Sequence, residues 1–585
     1  MNSTPNTSVR FLFTLVLTII LTVSCKNNSP QGVAQEVPVY PQNKKLFSYQ
    51  AMVVSAHPLA SKVGIEIMKK GGNAVDAAIA VQFALAVTYP SAGNIGGGGF
   101  MVIRTRDGEV ATLDFREKAP LAAHRDMYLD SLGNVIPKLS THGHLSVGVP
   151  GTVDGMVSAF EKYSKLKDWK ALVKPSYDLA NDGFLLTEKE AKKLNRAQEA
   201  FKELNTSMPV FVRAEEEWKK GDQIVQKDLA STMKLIEENR RAGFYEGVVA
   251  DKIVAEMKAG NGIITHEDLK KYESKWRAPI VDAHKEYEII SMAPPSSGGV
   301  ALLQMLEMVE KFPLKEWGFH HPKTIHLMAE AERRAFADRA KHLGDPDFYD
   351  VPVEELLDKA YLKERMASFN PEAATPSKDL KAGVFNLLKE SDETTHFSIV
   401  DPEGNAVSVT TTLNLGYGSK VVVSGAGFFL NDEMDDLSAK PGVPNAFGLV
   451  GEEANKIEPE KRMLSSMTPT IITKDDKLYM VIGTPGGSTI ITSVFQVFLN
   501  VTEFGMPMAE AVSAPRFHHQ WLPDCIFMEK DALPDTTIKA LEKLGHEVKI
   551  RGSGQWGQFE GILVRDDGKL EGGADVRGDD SAEGF

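Results

Sequence analysis

The feature that most constrains the fold is a helix-forming segment that is apolar on nearly every side. Residues 73–87 read NAVDAAIAVQFALAV, which is rich in alanine. A surface helix keeps one polar face toward water, so a helix of this composition is expected to be buried. Pro90 ends the segment, and a glycine-rich stretch at 93–99 follows it. The rest of the chain must therefore surround this helix.

Strand and helix patterns alternate along the chain in long blocks. The strand blocks are 100–104, 110–115 and the region from 395 onward, and the helical blocks are 150–285, 300–312, 324–342 and 536–545. The helical segments around 300–342 have a strong amphipathic period. Long alternating blocks of this kind favour layers of helices packed around sheets.

The composition narrows the class of protein. The 585 residues include 66 Lys and Arg against 80 Asp and Glu, for a net charge of −14, and 42% are hydrophobic. These values are typical of a globular chain and exclude a disordered chain, a collagen-like repeat and a many-pass membrane protein. The acidic balance also argues against nucleic acid as the main partner, because it repels phosphates.

The N-terminus has the layout of an export signal. Arg10 precedes an apolar run at 11–21 that is too short to span a membrane comfortably. The residues before Cys25 resemble a bacterial lipoprotein signal, although Thr22 stands where leucine is usual. An ordinary signal peptide cut nearby is the alternative.

From this layout we expect a signal peptide at 1–24 and a lipid-linked Cys25. Residues 25–46, polar and proline-containing, would form a flexible tether. The protein would then be exported, to the periplasmic side or the outer membrane, and would contact the membrane only through its lipid.

Two β-rich runs around a tight turn predict a hairpin late in the chain. Residues 393–400 and 406–412 flank an Asp-Pro-Glu-Gly-Asn turn. A turn centred on that run places Thr394 opposite Thr412, with Cβ atoms roughly 5 Å apart. One threonine hydroxyl can then orient the other. Threonine is also simply a good strand residue, so the hairpin alone leaves the function open.

The hairpin lies in a longer segment that resembles a known processing site. Residues 392–414 (DETTHFSIVDPEGNAVSVTTTLN) are similar to the self-cleavage segment of the γ-glutamyltranspeptidases, a branch of the N-terminal nucleophile hydrolases. Six further motifs match that family in the same order: 113–117, 294–299, 434–436, 464–470, 483–488 and 514–520. The resemblance runs from about residue 47 to the C-terminus.

The resemblance implies a fold and a maturation route. The fold would be an α/β four-layer αββα sandwich. The family's members are made as one inactive chain that cuts itself, here between Glu393 and Thr394. A large part, 47–393, and a small catalytic part, 394–585, would remain together as a heterodimer, and 47–585 would form one intertwined domain.

The resemblance also implies the catalytic roles. Thr394 would be the nucleophile in both self-cleavage and turnover, and Thr412 would hydrogen-bond and activate it. A free α-amine on Thr394, with a pKa of about 8, would serve as its base. The backbone N–H groups of Gly486 and Gly487 would form the oxyanion hole.

A γ-glutamyl group carries an α-carboxylate and an α-ammonium, and the resemblance assigns residues to each. A guanidinium fork suits a carboxylate, and acidic side chains suit an ammonium. The carboxylate clamp would be Arg116, Ser465 and Ser466, and the ammonium side would be Asn414, Glu433 and Asp436.

Residues 438–461 resemble the lid loop of some bacterial members, with Phe447 where tyrosine is common. A lid shields the acyl-enzyme from water, so loss of the hydroxyl leaves the balance of hydrolysis and transfer open. No cofactor or metal is expected: the histidines form no HExxH pattern, and the glycines at 96–99 lack dinucleotide-binding spacing.

The resemblance implies a self-processing γ-glutamyltransferase and glutathione hydrolase, with water, amino acids or peptides as acceptors. One alternative is a related cephalosporin or glutaryl acylase, against which Arg116 and Asp436 argue. Another is a lipoprotein that binds γ-glutamyl peptides without turnover, against which Thr394 and Thr412 argue. The preferred donor and acceptor, the membrane leaflet and further oligomerisation stay open.

Overall fold

The structure is a computed structural model that describes residues 39–380, 394–552 and 556–585. The expected signal peptide, Cys25 and Glu393 lie outside these residues. No helix in the described ranges combines the length and the apolar character needed to cross a membrane.

The helices and strands follow the alternating blocks of the sequence. The helices are α1 (Pro58–Lys69), α2 (Ala74–Thr88), α3 (Thr152–Tyr163), α4 (Trp169–Asp182), α5 (Glu188–Leu204), α6 (Lys227–Asn239), α7 (Ala242–Tyr245), α8 (Gly247–Ala259), α9 (His266–Lys271), α10 (Gly298–Val309), α11 (Leu314–Trp317), α12 (Pro322–His342), α13 (Val353–Leu356), α14 (Lys359–Met366), α15 (Thr489–Thr502), α16 (Met508–Ser513) and α17 (Asp535–Lys543). The strands are β1 (Lys45–Ser48), β2 (Met52–Ser55), β3 (Gly98–Arg104), β4 (Val110–Asp114), β5 (Phe184–Leu185), β6 (Gln223–Ile224), β7 (Lys275–Arg277), β8 (Ile280–His284), β9 (Tyr287–Ser291), β10 (Thr394–Val400), β11 (Ala406–Thr412), β12 (Thr470–Lys474), β13 (Lys477–Gly483), β14 (Phe517–His518), β15 (Ile526–Met528), β16 (Val548–Ile550), β17 (Glu560–Val564), β18 (Leu570–Ala574) and β19 (Ser581–Gly584).

Two seven-stranded sheets form the centre of the molecule. Their strand orders are β1-β18-β17-β13-β12-β9-β8 and β19-β2-β10-β11-β3-β4-β7. The sheets lie face to face, with β10 and β11 against β13 and β17. Apolar side chains from both sheets, among them Val54, Val102, Ile471 and Val481, fill the space between them. This middle core joins strands from before and after residue 394.

Helices cover the outer face of each sheet. Phe397 and Val409 of one sheet pack in the same core as Val81 of α2 and residues of α1, α3 and α4. On the other sheet, Ile472 and Ile482 pack with residues of α10, α12 and α15. The molecule therefore has four layers: helices, a sheet, a second sheet and helices, with an apolar core between each pair of neighbouring layers. The predicted αββα sandwich is confirmed.

The helix predicted to be buried is α2, and all of its residues are buried. Its N-terminus carries a capping box, in which Asn73 and Asp76 each accept a hydrogen bond from the other's backbone N–H. The backbone N–H of Ala74 also donates to Asp401 Oδ2 at 2.9 Å. Since Asp401 lies in the turn of the β10–β11 hairpin, this contact holds the hairpin against the helix layer.

The hairpin has the predicted register. Thr394 pairs with Thr412 in the antiparallel ladder between β10 and β11. Asp401 Oδ1 accepts the backbone N–H of Asn405 at 2.9 Å, which closes the turn. Gly404 adopts a φ of 88°, a conformation that glycine allows without strain.

The flexible tether predicted for 25–46 ends earlier than expected. Lys45 begins β1, which pairs antiparallel with β18. Lys44 Nζ donates to three backbone carbonyls between residues 575 and 580, at 2.7 to 3.0 Å. The prediction was therefore wrong for residues 44–46, because Lys44 and Lys45 find backbone partners near the C-terminus and Leu46 packs against the core between the sheets. Val39–Phe585 forms one compact unit.

Candidate active site

Thr394 and Thr412 meet at one end of the hairpin. Thr394 opens β10 and is 5% exposed, and its Oγ1 lies 3.2 Å from Thr412 Oγ1. The backbone N–H of Asn414 donates to Thr412 Oγ1 at 2.8 Å. The second hydroxyl is thereby held beside Thr394, and either hydroxyl can donate to the other.

A small cavity of ≈ 20 Å³ surrounds these hydroxyls. It is lined by Arg116, Thr394, Thr412, Asn414, Glu433, Asp436, Phe447, Ser465, Ser466, Met467, Gly487 and Ile490. All six residues predicted to bind the substrate are therefore in one place. The apolar Met467 and Ile490 were not predicted. This volume holds about one or two water molecules, so a larger ligand requires side chains to move.

Gly486 and Gly487 form the turn that leads into α15. Gly487 lines the cavity, whereas Gly486 lies beside it. Their φ values are 132° and 53°, and a Cβ on Gly486 would lie 2.5 Å from Thr489 Oγ1. A residue with a side chain would therefore be strained at either position. The N-terminus of α15 also brings a partial positive charge to this edge of the cavity.

Arg116 is fully buried and is held by acidic side chains. It forms ion pairs with Glu433 and Asp436, the second at 2.5 Å between Nη2 and Oδ2. Its Nε also donates to the carbonyl of Met463 at 3.3 Å. Burial alone would lower the pKa of Arg116, but the charges of Glu433, Glu117 and Asp436 outweigh it and raise that pKa. Arg116 is therefore always a cation.

The acidic side chains around Arg116 hold protons more tightly than usual. Burial raises the pKa of Glu433 and of Asp436, and Arg116 opposes both shifts. Burial also raises the pKa of the neighbouring Glu117 to about 7, again opposed by Arg116. Glu117 Oε2 lies 3.5 Å from Arg116 Nη1. Near neutral pH, part of the acidic charge is therefore neutralised by protons.

Several buried acceptors at the site have no hydrogen-bond donor among the described residues. They include Asn414 Oδ1 and Glu433 Oε2. Both residues line the cavity, where an unpaired buried acceptor costs free energy. A ligand that brings N–H groups would satisfy them.

Arg339 in α12 was not predicted and supports the serine side of the cavity. It is buried, and it donates to Ser297 Oγ at 2.8 Å and to Ser466 Oγ at 3.2 Å. Ser297 Oγ in turn donates to the carbonyl of Ser465 at 2.6 Å. Burial lowers the pKa of Arg339 to about 10, so it remains charged at neutral pH. The motif at 294–299 contains Ser297, but no signal in α12 pointed to Arg339.

Phe447 covers the cavity. It lines the cavity and is only 4% exposed. The preceding residues are tied to consecutive carboxylates: Asn445 Nδ2 donates to Asp436 Oδ1 at 2.9 Å, and the backbone N–H of Ala446 donates to Asp435 Oδ2 at 2.8 Å. The tip of the predicted lid is thus anchored to the acidic side of the site.

One group of possible metal ligands occurs among the described residues, and none of its members lines the cavity. His326, Glu330 and His546 are buried with their ligand atoms within 4.8 Å of one another. His326 Nδ1 and His546 Nε2 are already hydrogen-bonded at 2.7 Å, and Arg334 donates to Glu330 Oε2 at 2.6 Å. These internal hydrogen bonds and the adjacent arginine give the group a structural role.

A threonine that opens a central strand of an αββα sandwich, opposite a second threonine and beside a glycine turn, defines the class of N-terminal nucleophile hydrolases. The solved structure of cephalosporin acylase from Bacillus halodurans superimposes with a TM-score of 0.80. That match covers 94% of this chain and 98% of the acylase, at 26% sequence identity.

The chain belongs to the gamma-glutamyltranspeptidase family, whose family model matches residues 60–585. The glutathione hydrolase proenzyme of Pseudomonas sp. (strain A14) is 50% identical over 532 residues, which are 91% of this chain and 90% of the relative. The glutathione hydrolase proenzyme of Escherichia coli (strain K12) is 46% identical over 538 residues, 92% of each chain.

Proposed function

We propose that this chain is a self-processing γ-glutamyltransferase and glutathione hydrolase. The observation that carries the proposal is the composition of one cavity. It joins the Thr394–Thr412 hydroxyl pair to the Arg116 cation and to the acceptors of Asn414, Glu433 and Asp436. These groups complement the reacting carbonyl, the α-carboxylate and the α-ammonium of a γ-glutamyl compound.

Maturation follows from the position of Thr394. In the intact chain its nitrogen belongs to the peptide bond with Glu393 and cannot accept a proton. The Thr394 hydroxyl attacks the Glu393 carbonyl carbon, the C–N bond breaks, and an ester forms. Water then hydrolyses the ester and leaves a free α-amine on Thr394, which is the base that a threonine nucleophile needs.

No histidine competes with the amine for this role at the hairpin. His396 lies two residues from Thr394, but its ring nitrogens hydrogen-bond Thr410 Oγ1 at 2.9 Å and Ser398 Oγ at 3.1 Å. Burial also lowers the pKa of His396 to about 3. The geometry therefore supports the α-amine of Thr394 as the base.

In turnover, the α-amine takes the proton of the Thr394 hydroxyl as its oxygen attacks the γ-carbonyl carbon. The backbone N–H groups of Gly486 and Gly487, with the N-terminus of α15, stabilise the oxyanion. The α-ammonium returns the proton to the leaving amine as the C–N bond breaks. Water or an acceptor amine then attacks the γ-glutamyl ester and releases glutamate or a new γ-glutamyl compound.

When a donor binds, the ion pairs within the protein at Arg116 are replaced by ion pairs between the protein and the donor. The donor's α-carboxylate takes the place of acidic side chains on Arg116, assisted by the hydroxyls of Ser465 and Ser466. Glu433 and Asp436 are then available to the α-ammonium, together with Asn414 Oδ1. A zwitterion replaces the internal pairs charge for charge, whereas a glutaryl group would leave the acidic side unpaired.

We also propose that the mature protein is a heterodimer of 47–393 and 394–585, exported and anchored through a lipid on Cys25. The lipoprotein-like signal in the sequence supports the anchor. Labelling with a radioactive fatty acid tests it: Cys25→Ser should abolish the label and release the protein from membranes. Label retained by that variant would contradict the anchor.

N-terminal sequencing of the smaller fragment, combined with two donors, tests the proposed function. The fragment should begin Thr394-Thr395-His396, and γ-glutamyl-p-nitroanilide should be cleaved far faster than glutaryl-p-nitroanilide. Thr394→Ala should abolish both self-cleavage and turnover. The matched control is Thr395→Ala, because Thr395 Oγ1 is buried and has no hydrogen-bond partner among the described residues.

Each result decides between the alternatives. Preference for the glutaryl donor would favour the acylase. A wild-type chain that stays whole and releases no p-nitroaniline would favour a binding protein. Activity that survives in Thr394→Ala would reject the assigned nucleophile.

A further inference from the structure

The motif at 514–520 has no part in the chemistry described above, yet one of its residues contacts the segment over the cavity. Gln520 is buried, and its Nε2 donates to the carbonyl of Phe447 at 3.3 Å and to the carbonyl of Leu522 at 3.2 Å. Two carbonyl acceptors on one side fix the orientation of the amide, because only its NH₂ group can donate to both.

The other end of the Gln520 amide is fixed by a buried histidine. Gln520 Oε1 lies 2.8 Å from His518 Nε2, and His518 Nδ1 lies 2.8 Å from Thr492 Oγ1. Burial lowers the pKa of His518 to about 3, so its ring is neutral and has one N–H. Because Oε1 can only accept, Nε2 must donate to it, which leaves Nδ1 as an acceptor for the Thr492 hydroxyl. The carbonyl of Thr489, at 3.1 Å, is a second acceptor for that hydroxyl.

These hydrogen bonds form a chain whose direction is fixed from His518 onward. It runs from Thr492 of α15 through His518 and Gln520 to the carbonyl of Phe447. The helix α15 begins directly after the glycine turn at 486–487. The chain therefore connects the oxyanion side of the cavity to the aromatic residue that covers it.

The covering segment, residues 445–449, is also hydrogen-bonded to the acidic side of the site. Asn445 Nδ2 donates to Asp436 Oδ1, and Asp436 is paired at the same time with Arg116. Donor binding changes the partners of Asp436 and therefore acts on that anchor. The contact from Gln520 involves no substrate-binding side chain.

We propose that Gln520 is a positioning residue that holds Phe447 over the γ-glutamyl ester and so favours transfer to an amine over hydrolysis. The proposal rests on the proposed function. When the covering segment is held, water reaches the ester less often and an acceptor bound at the site has more time to react. Loosening the segment should raise the share of hydrolysis without weakening donor binding.

Two variants remove the contact in different ways. Gln520→Glu keeps the shape but sets an oxygen against the carbonyls of Phe447 and Leu522. Gln520→Met keeps the length and removes every polar atom. The matched control is Gln226→Glu, since Gln226 is buried and donates to the carbonyl of Val87 at 2.9 Å, away from the cavity.

The first measurement is the ratio of transfer product to glutamate, with γ-glutamyl-p-nitroanilide as donor and glycylglycine as acceptor. The ratio should fall by about fivefold or more in both variants, as expected for the loss of one hydrogen bond that favours a closed state. Donor KM should stay unchanged, and the control should keep the wild-type ratio. An unchanged ratio in both folded variants, or a donor KM that rises in step with the loss, would overturn the proposal.

The second measurement needs no activity and so separates this proposal from the proposed function. Limited chymotrypsin digestion should cut after Phe447, which is buried while the covering segment is held, faster in both variants than in wild type and Gln226→Glu. Equal rates would reject the positioning role even if the enzyme is active. A wild-type chain without turnover would reject the proposed function while the digestion rates still report on Gln520.

Discussion

Thr394 and Thr412 face each other across the β10–β11 ladder, with their hydroxyl oxygens 3.2 Å apart. The Asn414 backbone N–H donates to Thr412 Oγ1 and holds this hydroxyl, which can act as a hydrogen-bond donor, beside the nucleophile. Thr412→Val keeps the strand and removes this donor, and kcat should fall by about 10²-fold, as for other preorganised donors. Thr412→Ser is the control that should retain most of kcat. Equal kcat in the valine variant and wild type would show that Thr412 is only a strand residue.

Arg116→Lys tests the guanidinium fork. Arg116 pairs with Glu433 and Asp436 through two different nitrogens, and a lysine supplies a single ammonium that cannot replace both contacts. The donor KM should rise by about 10- to 100-fold, the equivalent of one lost charge-assisted hydrogen bond. Steady-state kinetics with γ-glutamyl-p-nitroanilide measures it. Arg125→Lys, at an exposed ion pair with Glu453, should leave KM unchanged.

Glu117 predicts a pH dependence of ligand affinity. Burial raises its pKa to about 7, opposed by Arg116, so Glu117 is neutral below pH 7 and charged above it. The charged form adds an anion beside Arg116 and repels the α-carboxylate of a ligand. The affinity for glutamate, measured as an inhibition constant from pH 6 to 8.5, should therefore decrease as the pH rises. Glu117→Gln should make the inhibition constant for glutamate nearly independent of pH over this range. If the variant keeps the pH dependence of the wild type, another titrating group causes it.

Glu560 and Asp580 predict a pH dependence of stability. Both are fully buried, and their carboxyl groups are close enough for one to donate a hydrogen bond to the other when it carries a proton. Burial raises the pKa of Asp580 to about 6 and that of Glu560 well above its usual value. The folded state therefore binds these protons more tightly than the unfolded state. The stabilisation is complete below the unfolded pKa of about 4 and is lost as the pH rises through about 6.

Calorimetry at pH 5 and pH 8 measures this effect. The melting temperature of the wild type should be lower at pH 8 than at pH 5. Asp580→Asn should make this difference smaller, because it removes a buried charge that lowers the free energy of unfolding by up to about 3 kcal/mol at pH 8. Asp566→Asn, at an exposed position, is the control and should follow the wild type. A fall of the same size in Asp580→Asn would show that other groups set the slope.

The local elements could be predicted because neighbouring residues encode them. The cap at Asn73 and the surrounding apolar residues define α2, and the turn at 401–405 sets the register that pairs Thr394 with Thr412. Resemblance to a known family then supplied the roles of distant residues such as Arg116 and Asp436. Without that resemblance, the sequence around Arg116 would predict an ordinary surface arginine.

The tertiary structure decided which side chains act on one another. Arg116 and Asp436 are 320 residues apart in sequence, and Arg339, which supports Ser466, carries no local signal. The contact from Gln520 to Phe447 joins two segments 73 residues apart. Such contacts depend on how layers pack and on which buried polar groups must find partners, and no local pattern records that requirement.

The sequence by itself determined the buried helix, the hairpin register and, through the family motifs, the polar residues that the cavity gathers, because each depends on local backbone preferences or on a motif. Only the tertiary structure decided that acidic side chains form ion pairs with Arg116, that Gln520 holds the covering segment, and that residues 44–46 belong to the folded unit. Those outcomes depend on long-range pairing of charges and hydrogen bonds, which the packing of the four layers creates.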